Sequence, residues 1–334
     1  MIKIEREKFS KPVSLDLSRE RSAANNELRN NAVLLERGDS ELSFSAYSQP
    51  SVKDAVKELT GSRCAYCGIM ILRSDVSIEH YRPKGLVITS TSTKIKPGYH
   101  WLAPIWENLL PSCDFCNVGG LHEVIDFINL EAREYAKIES DIGKKNFFPV
   151  LNEDRVAPLR PGREQQEYPL LFNPCNDDPI ELFSYYPIAL DGENYLVVKP
   201  NNNLEDDDLK QRAETTIRLL GLNHLELAHE RYDRIKRCKL AVSEMSQVLE
   251  ANFNENTFKA RTVDILEFVS SARNGSFIGL CQRLAKNVII ASVGSLVDHE
   301  LVDEMDDEAV LDDYICILEE YCIGYVAPVD IGIL

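Results

Sequence analysis

Four cysteines in two closely spaced pairs are the residues of this chain best suited to a chemical role. Cys64 and Cys67 form one C-x2-C pair, and Cys113 and Cys116 form a second, with 45 residues between the pairs. Two such pairs match a structural zinc site, in which four thiolates fill every position and none stays open for a substrate. The alternative is two chance pairs of buried cysteines. The spacing favours zinc, which would pin both ends of the intervening segment.

Polar residues between the two pairs suggest what that segment does. Glu79 and His80 end a run in which Val76, Ile78 and His80 alternate with polar residues, a pattern typical of a strand. A neutral imidazole can take a proton from water near neutral pH, and a carboxylate offers a hard oxygen ligand to Mg2+. A lone Glu-His pair is more often an incidental strand end. Asn108, and Asn117 directly after the last cysteine, favour a site.

The two cysteine pairs frame three elements, Glu-His, Asn-Leu and Cys-x2-Cys-Asn. Together these elements resemble the HNH endonuclease motif, in which a ββα hairpin holds one divalent metal ion. The resemblance implies that His80 is the general base that activates water. It implies that Glu79 and Asn117 lie on a catalytic Mg2+ or Mn2+, and that Asn108 braces the loop and orients His80. The reaction would be hydrolysis of phosphodiester bonds, with zinc as scaffold only.

Further segments extend the likeness: Cys64-Ala-Tyr-Cys67-Gly, Ile78-Glu-His-Tyr-Arg-Pro-Lys84, Tyr99-His-Trp101-Leu-Ala, Trp106-Glu-Asn-Leu-Leu-Pro-Ser-Cys113, Glu167-Tyr-Pro-Leu-Leu-Phe-Asn-Pro174 and Leu219-Leu-Gly-Leu-Asn223. Over about residues 45–235 the chain resembles a narrower group, the HNH nucleases of Septu-type and retron-associated anti-phage systems. In that family the nuclease works beside an ATPase subunit with an ABC-like core. DNA is then the expected substrate, and RNA, including tRNA, stays an alternative. An alternative of another class is a decayed, zinc-stapled adaptor that binds the ATPase and cuts nothing.

The chain departs from that family after Asn117. Family members place a Lys a few residues beyond Cys-Asn and a Phe-Pro soon after, whereas here Gly119-Gly120 follow and Phe148-Pro149 comes about 30 residues later. We therefore interpret residues 121–146 as an insertion. Two glycines in the first turn of a helix would cost about 1 kcal/mol each relative to alanine. His122 is a candidate auxiliary ligand, although an isolated histidine is more often an ordinary surface or core residue.

Charge is unevenly distributed along the chain. With 37 Lys and Arg against 54 Asp and Glu the net charge is −17, yet the window 61–122 carries six basic and four acidic residues. Arg82 and Lys84, next to the Glu-His pair, are predicted to contact phosphates of a nucleic acid, which supplies affinity without sequence choice. A solvated loop is the alternative. Because few phosphates can be neutralised, we expect a partner, the ATPase, to supply binding or control.

The chain is expected to adopt an α+β, mostly helical fold, with a small zinc-stapled ββα-metal (HNH) core and surrounding and C-terminal helices. No run is apolar enough to span a bilayer, and nine cysteines without a secretory signal favour the cytoplasm. Residues 20–37, 52–59, 258–272, 277–291 and 307–323 are predicted helices. Four regions are predicted: an N-terminal arm and helices (1–60), the nuclease core (61–122), an insertion and proline-rich irregular region (123–205), and an acidic helical region (206–334).

Overall fold

The computed structural model describes residues 1, 3–39, 41–71, 76–129, 134–152 and 161–251, together with positions 260, 264, 276, 277, 280 and 281. The predicted helices beyond residue 257 therefore lie outside the described residues, apart from those last positions. The same holds for the acidic segment from residue 300 onward.

The chain divides into two compact units. The larger unit comprises Ile2–Tyr185 and Val197–Leu227, and it contains every residue of the candidate site. The smaller unit comprises Met1, Tyr186–Leu196 and the chain from Ala228 onward, as far as it is described. Since the site lies wholly in the larger unit, the elements of that unit position it.

Two helices precede the first cysteine pair. Helix α1 spans Ala23–Glu36, and the side chain of Ser22 caps it by accepting the N–H of Asn25. Helix α2 spans Pro50–Glu58. Both helices were predicted from the sequence, and both are confirmed. The predicted arm before them is less extended than expected, because short 3-10 helices form at Arg6–Lys8 and Val13–Leu15.

The segment between the cysteine pairs is built on a small antiparallel sheet. Strand β1 spans Ser77–His80, and it pairs with strand β4, Leu109–Ser112, so that His80 lies opposite Leu109. The segment between β1 and β4 contains a second short ladder, β2 (Val87–Ile88) with β3 (Lys94–Ile95). Helix α3, a single turn at Asp114–Asn117, follows β4 directly.

The predicted insertion is a β-hairpin. Strand β5 spans Gly120–Asn129, and it pairs in antiparallel fashion with strand β6, Glu134–Ile142. This arrangement corrects the expectation that Gly119-Gly120 lie in the first turn of a helix. Helix α3 ends at Asn117, so the two glycines start the hairpin and impose no helix penalty.

The two ends of the hairpin meet at a pair of glycines. Gly119 has φ +59° and Gly143 has φ +100°, and a Cβ built on Gly119 would lie 2.6 Å from the Cα of Gly143 and would collide with the carbonyl of Ile142. Only a residue without a side chain allows the backbones this approach. The chain can therefore leave α3, form the hairpin and return to the same place.

Beyond the hairpin the chain is more regular than the predicted irregular region. After the short helix α4 (Pro179–Leu182), strands β7 and β8 pair with each other, and helices α5 and α6 follow. This mixture of helices and small sheets confirms the α+β class. Among the described residues, no helix combines the length and the hydropathy needed to cross a membrane. The bounds are Phe183–Leu190 for β7, Glu193–Pro200 for β8, Asp207–Leu219 for α5 and Leu225–Ala251 for α6.

The smaller unit is organised around a buried arginine. Arg231 on α6 is 1% exposed, and its Nη1 donates to the carbonyl of Leu196 over 2.6 Å. The guanidinium also lies 5.6 Å from the ring centre of Phe277. This arginine therefore joins α6 to the strand β8 within the unit.

Replacing Gly119 by alanine tests the close approach of the hairpin ends. We expect Gly119→Ala to lower the free energy of unfolding well beyond the conformational penalty, because the new Cβ collides with backbone that cannot rotate away. Gly38→Ala is the matched control, since Gly38 has φ +80° and open space around it, so that only the conformational cost of about 1–2 kcal/mol applies. Denaturant unfolding of both variants measures the difference; equal losses would contradict the close approach.

Candidate active site and metal centre

The four paired cysteines converge on one point. Cys64, Cys67, Cys113 and Cys116 are all buried, and their Sγ atoms lie within 4.8 Å of one another. The Sγ atoms of Cys67 and Cys113 are 3.7 Å apart, close to the edge of about 3.8 Å of a tetrahedron with Zn–S bonds of about 2.3 Å. The cluster can therefore hold a metal ion, and its geometry and donor type fit zinc.

A cation would favour the thiolate form of the cysteines whose pKa is raised in the cluster, Cys67 and Cys116. Burial raises the pKa of the Cys67 thiol well above its usual range, and the neighbouring thiols of Cys113 and Cys64 raise it further. A bound divalent cation reverses this preference, because its charge favours the deprotonated form of each ligand. The backbone also links the first pair to β4, since the N–H of Ala65 donates to the carbonyl of Pro111 over 2.9 Å.

His80 lies at the end of β1, 4% exposed, with both ring nitrogens engaged. Its Nε2 is 3.1 Å from the carbonyl oxygen of Ala103, and its Nδ1 is 3.3 Å from Nζ of Lys84. Because a carbonyl oxygen only accepts, Nε2 carries the ring hydrogen and Nδ1 carries the lone pair. Burial lowers the pKa of His80 well below its usual range, and the charge of Lys84 lowers it further. The imidazole is therefore neutral at pH 7.

Glu79 is paired with a lysine that sequence reasoning did not select. Lys144 is fully buried, and its ammonium contacts the carboxylate of Glu79, itself 5% exposed. The same ammonium donates to the carbonyl of His80 over 2.9 Å. Burial raises the pKa of Glu79 and the charge of Lys144 opposes that shift. Two buried charges thus compensate each other at the end of β1.

Lys144 reaches this position because the hairpin returns the chain to α3. The N–H of Lys144 donates to the carbonyl of Cys116 over 2.8 Å, and the N–H of Lys145 donates to that of Asn117 over 2.7 Å. Lys144 therefore stands directly beside the Cys-Asn segment in space, although 26 residues separate it from Asn117 in sequence. The signal that could have found it is the pair Lys144-Lys145 shortly before Phe148-Pro149, the order in which the resembled family places its lysine.

Asn108 joins two loops through its side chain. Its Oδ1 accepts the N–H of Arg82 over 2.8 Å, and its Nδ2 donates to the carbonyls of Arg82 and Leu102 over 3.0 and 3.1 Å. Its own carbonyl accepts the N–H of Tyr81 over 2.9 Å. These bonds hold the chain that leaves β1 against the loop that carries Ala103. That is the position a brace for His80 requires.

The residues assigned to the catalytic divalent metal do not fit such an ion as they are arranged. Asn117 is half-buried at the end of α3, which packs against β1, and its amide oxygen suits Mg2+. However, the carboxylate of Glu79 is already neutralised by Lys144. Among the described residues, only the four cysteines form a group of three or more potential metal ligands drawn from His, Cys, Asp and Glu. A divalent ion would have to displace Lys144.

The remaining predicted site residues, Arg82, Lys84 and His122, each have a different environment. Arg82 pairs with Glu167 over 2.9 Å, with both side chains largely buried, so a phosphate contact by Arg82 would have to compete with this ion pair. Lys84 is half-buried beside His80. His122 lies on β5 with its ring 5.2 Å from that of Phe115, and it does not join the cysteine cluster.

Two further residues support the site from the first 60 residues of the chain. The ring of Tyr47 meets His80 edge-on, with ring centres 4.6 Å apart. Arg6 donates to the carbonyls of Trp106 and Leu109, both over 2.7 Å. No local pattern marks Arg6, because its partners are about a hundred residues away in sequence.

Comparison with known proteins finds one similarity of note. The chain is 33% identical over 233 residues to the Septu protein PtuB of Bacillus mycoides (strain KBAB4). This chain is a relative of that Septu protein. The matched stretch covers 69% of the chain and 66% of the relative. No protein-family model matches the chain, and no solved structure gives a significant match.

Removing one thiol tests the metal centre. We expect the wild-type chain to carry one zinc ion, and Cys113→Ser to lose it and to unfold at a lower temperature, because three thiolates and a hydroxyl no longer complete the site. Cys175→Ser is the matched control, since Cys175 is a half-buried free thiol outside the cluster. Elemental analysis and thermal unfolding measure both effects. Full zinc content in Cys113→Ser would exclude this cysteine as a ligand.

Removing the buried ammonium tests the pair at the end of β1. We expect Lys144→Met to lower the free energy of unfolding by about 3–5 kcal/mol, because it leaves the buried charge of Glu79 uncompensated. The double variant Glu79→Gln, Lys144→Met should recover part of that loss. Lys145→Met, which breaks only the exposed pair with Asp141, should cost less than about 1 kcal/mol. Urea unfolding of the three variants distinguishes these outcomes, and no recovery in the double variant would argue against the pair.

Proposed function

We propose that this chain is an HNH-type endonuclease that hydrolyses phosphodiester bonds as an effector of Septu anti-phage defence. The observation that carries the proposal is the state of His80, a neutral imidazole whose Nε2 is held by the Ala103 carbonyl and whose Nδ1 lone pair is the basic position. The sequence of elements around it, two paired strands followed by α3 beside a four-thiol cluster, is what the resembled motif requires. The relationship to a Septu protein supports the biological setting.

In the proposed reaction His80 acts as the general base. Its Nδ1 takes a proton from a water molecule, and the water oxygen forms a bond to phosphorus. The bond from phosphorus to the 3′ oxygen breaks, its electron pair stays on that oxygen, and the oxygen takes up a proton from solvent. Ala103 and Asn108 act as positioning residues, the first through its carbonyl on Nε2 and the second by holding the two loops together. The ammonium of Lys84 is the cation nearest to Nδ1 in the described structure and can meet the charge on the phosphate.

In this proposal the zinc ion has a structural role and takes no part in the reaction. Four thiolates would fill its coordination sphere, so no position remains for water or substrate. The four cysteines bring β4, α3 and the segment of the first cysteine pair together. Since β1 pairs with β4 and Asn117 ends α3, both belong to this small frame. The resemblance would place Mg2+ or Mn2+ on Glu79 and Asn117, but the buried ion pair of Glu79 with Lys144 does not fit such an ion, so no step of the proposed reaction runs through it. Cleavage assayed with and without Mn2+ tests this point.

The charge of the chain supports a role for a partner. A net charge of −17 opposes binding to free nucleic acid, since counterion release needs cations on the protein surface. We therefore include in the proposal an ABC-like ATPase subunit that delivers or controls the substrate. Efficient cleavage by the isolated chain at physiological salt would count against this part of the proposal.

One observation favours a second candidate, the catalytically decayed adaptor. The ion pair of Lys144 with Glu79 leaves this carboxylate without the free charge that a metal ligand needs. An adaptor would bind its ATPase and leave both DNA and RNA intact under every condition. Offering mixed DNA and RNA substrates, with and without the ATPase, separates the adaptor from the nuclease and identifies the nucleic acid that is cut.

Replacing His80 tests the nuclease. We expect His80→Ala to reduce the cleavage rate by about 10²- to 10⁴-fold, the usual contribution of a general base, while zinc content stays close to wild type. Because the ring is buried, the unfolding temperature falls, and cleavage is therefore measured at a temperature at which the variant is folded. His122→Ala is the matched control, since His122 lies outside the base and the cysteine cluster. Cleavage is measured on labelled DNA and RNA in the presence of Mn2+ and the ATPase. Undiminished cleavage by His80→Ala would exclude His80 as the base.

A further inference from the structure

The basic nitrogen of His80 is covered by an ammonium. Nζ of Lys84 lies 3.3 Å from Nδ1 of His80, and Nε2 is committed to the carbonyl of Ala103. Nδ1 is therefore the only ring nitrogen that can accept a proton, and its lone pair faces a hydrogen-bond donor. A lone pair that accepts a bond from an ammonium cannot take a proton from water at the same time.

Aromatic rings hold this ammonium in place. Nζ of Lys84 lies 4.5 Å from the ring centre of Tyr47 and 5.8 Å from that of Phe44. Both distances are within the range in which a ring face attracts a cation. Because Tyr47 also contacts His80 edge-on, the same residue positions the ammonium and the imidazole.

Charges around Lys84 favour its protonated form. Burial lowers the pKa of Lys84, whereas the negative charges of Glu79 and Glu27 oppose that shift. Glu27 lies on α1, and its Oε2 accepts the N–H groups of Ser45 and Ala46 over 2.6 and 2.7 Å. Its Oε1 is buried without a hydrogen-bond partner among the described residues. Glu27 thus fixes the turn that carries Tyr47, and its negative charge acts on Lys84.

We propose that Lys84 is a displaceable cap on His80, closed in the free protein and opened by the phosphate of an incoming nucleic acid. The inference deepens the proposed function and rests on it for the role of His80. An anionic phosphate oxygen is a stronger acceptor for an ammonium than a neutral imidazole is. Lys84 is only half-buried, so its ammonium can transfer from Nδ1 to that oxygen. The base then becomes available only when a phosphodiester lies beside it.

Nitrogen NMR of the histidine side chains tests the cap without any need for catalysis. Protein labelled with ¹⁵N at histidine is compared in the wild type, Lys84→Met and Lys84→Gln, and His80→Gln identifies the His80 signals. We expect the Nδ1 resonance of His80 to move toward that of a free acceptor nitrogen in either Lys84 variant. A short DNA duplex, added at low ionic strength and without Mg2+ or Mn2+ so that the zinc stays bound, should cause the same displacement in the wild type only. An Nδ1 resonance that is identical in wild type and both variants would overturn the cap.

Binding of the same duplex tests the destination of the ammonium. The logarithm of the binding constant is measured against the logarithm of salt concentration, by fluorescence anisotropy. If Lys84 moves onto a phosphate, Lys84→Met should reduce the slope by about 1, whereas Lys84→Arg should preserve it. Lys210→Met is the matched control, because it removes a lysine whose ammonium is paired with Asp207 on α5. An unchanged slope in Lys84→Met would overturn the transfer to phosphate.

The two measurements also separate this inference from the proposed function. If no nucleic acid is cut under any condition but Nδ1 responds to Lys84→Met and to the duplex, the cap stands and the nuclease assignment falls. If His80→Ala abolishes cleavage while Nδ1 ignores both changes, the nuclease stands and the cap falls. Zinc content and thermal unfolding of each Lys84 variant confirm that the comparison is made on folded protein.

Discussion

The buried contact between Lys144 and Glu79 is the constraint on which the site depends. Burying a carboxylate at the end of β1 is costly unless a cation lies against it, and this chain supplies that cation from the far end of an inserted hairpin. The contact therefore requires the hairpin to close on itself, which the glycines at 119 and 143 allow. It also requires α3 to lie beside β1, which the cysteine cluster enforces.

Two lysines lie near His80, Lys144 and Lys84, and they differ in how tightly they are held. Lys144 is fully buried and bonded to both Glu79 and the His80 carbonyl, so it cannot leave without a large cost in stability. Lys84 is half-buried, rests against aromatic rings, and its ammonium contacts a neutral imidazole nitrogen. An ammonium held in this weaker way can move toward a better acceptor. The arrangement combines a rigid frame with one exchangeable cation.

The segment before the first cysteine pair belongs to the site more closely than its position in sequence suggests. Arg6 holds the loop of Trp106 and the start of β4 through two backbone carbonyls. Glu27 organises the turn that carries Tyr47, and Tyr47 contacts both His80 and Lys84. A unit confined to residues 61–122 would therefore lack groups that surround His80.

Local patterns in the sequence predicted the parts of this protein that depend on interactions between residues close together in the chain. Cysteine spacing identified the four-thiol cluster, alternation identified β1, and helical patterns before the first cysteine pair identified α1 and α2. The insertion after Asn117 was also visible, although its hairpin was not. Tertiary structure alone decided the partners of Glu79, His80 and Arg82. Those partners are Lys144, Ala103 and Glu167, and they lie 23 to 85 residues away in sequence. Contacts between residues so far apart in the chain produce no periodic sequence pattern from which they could be predicted.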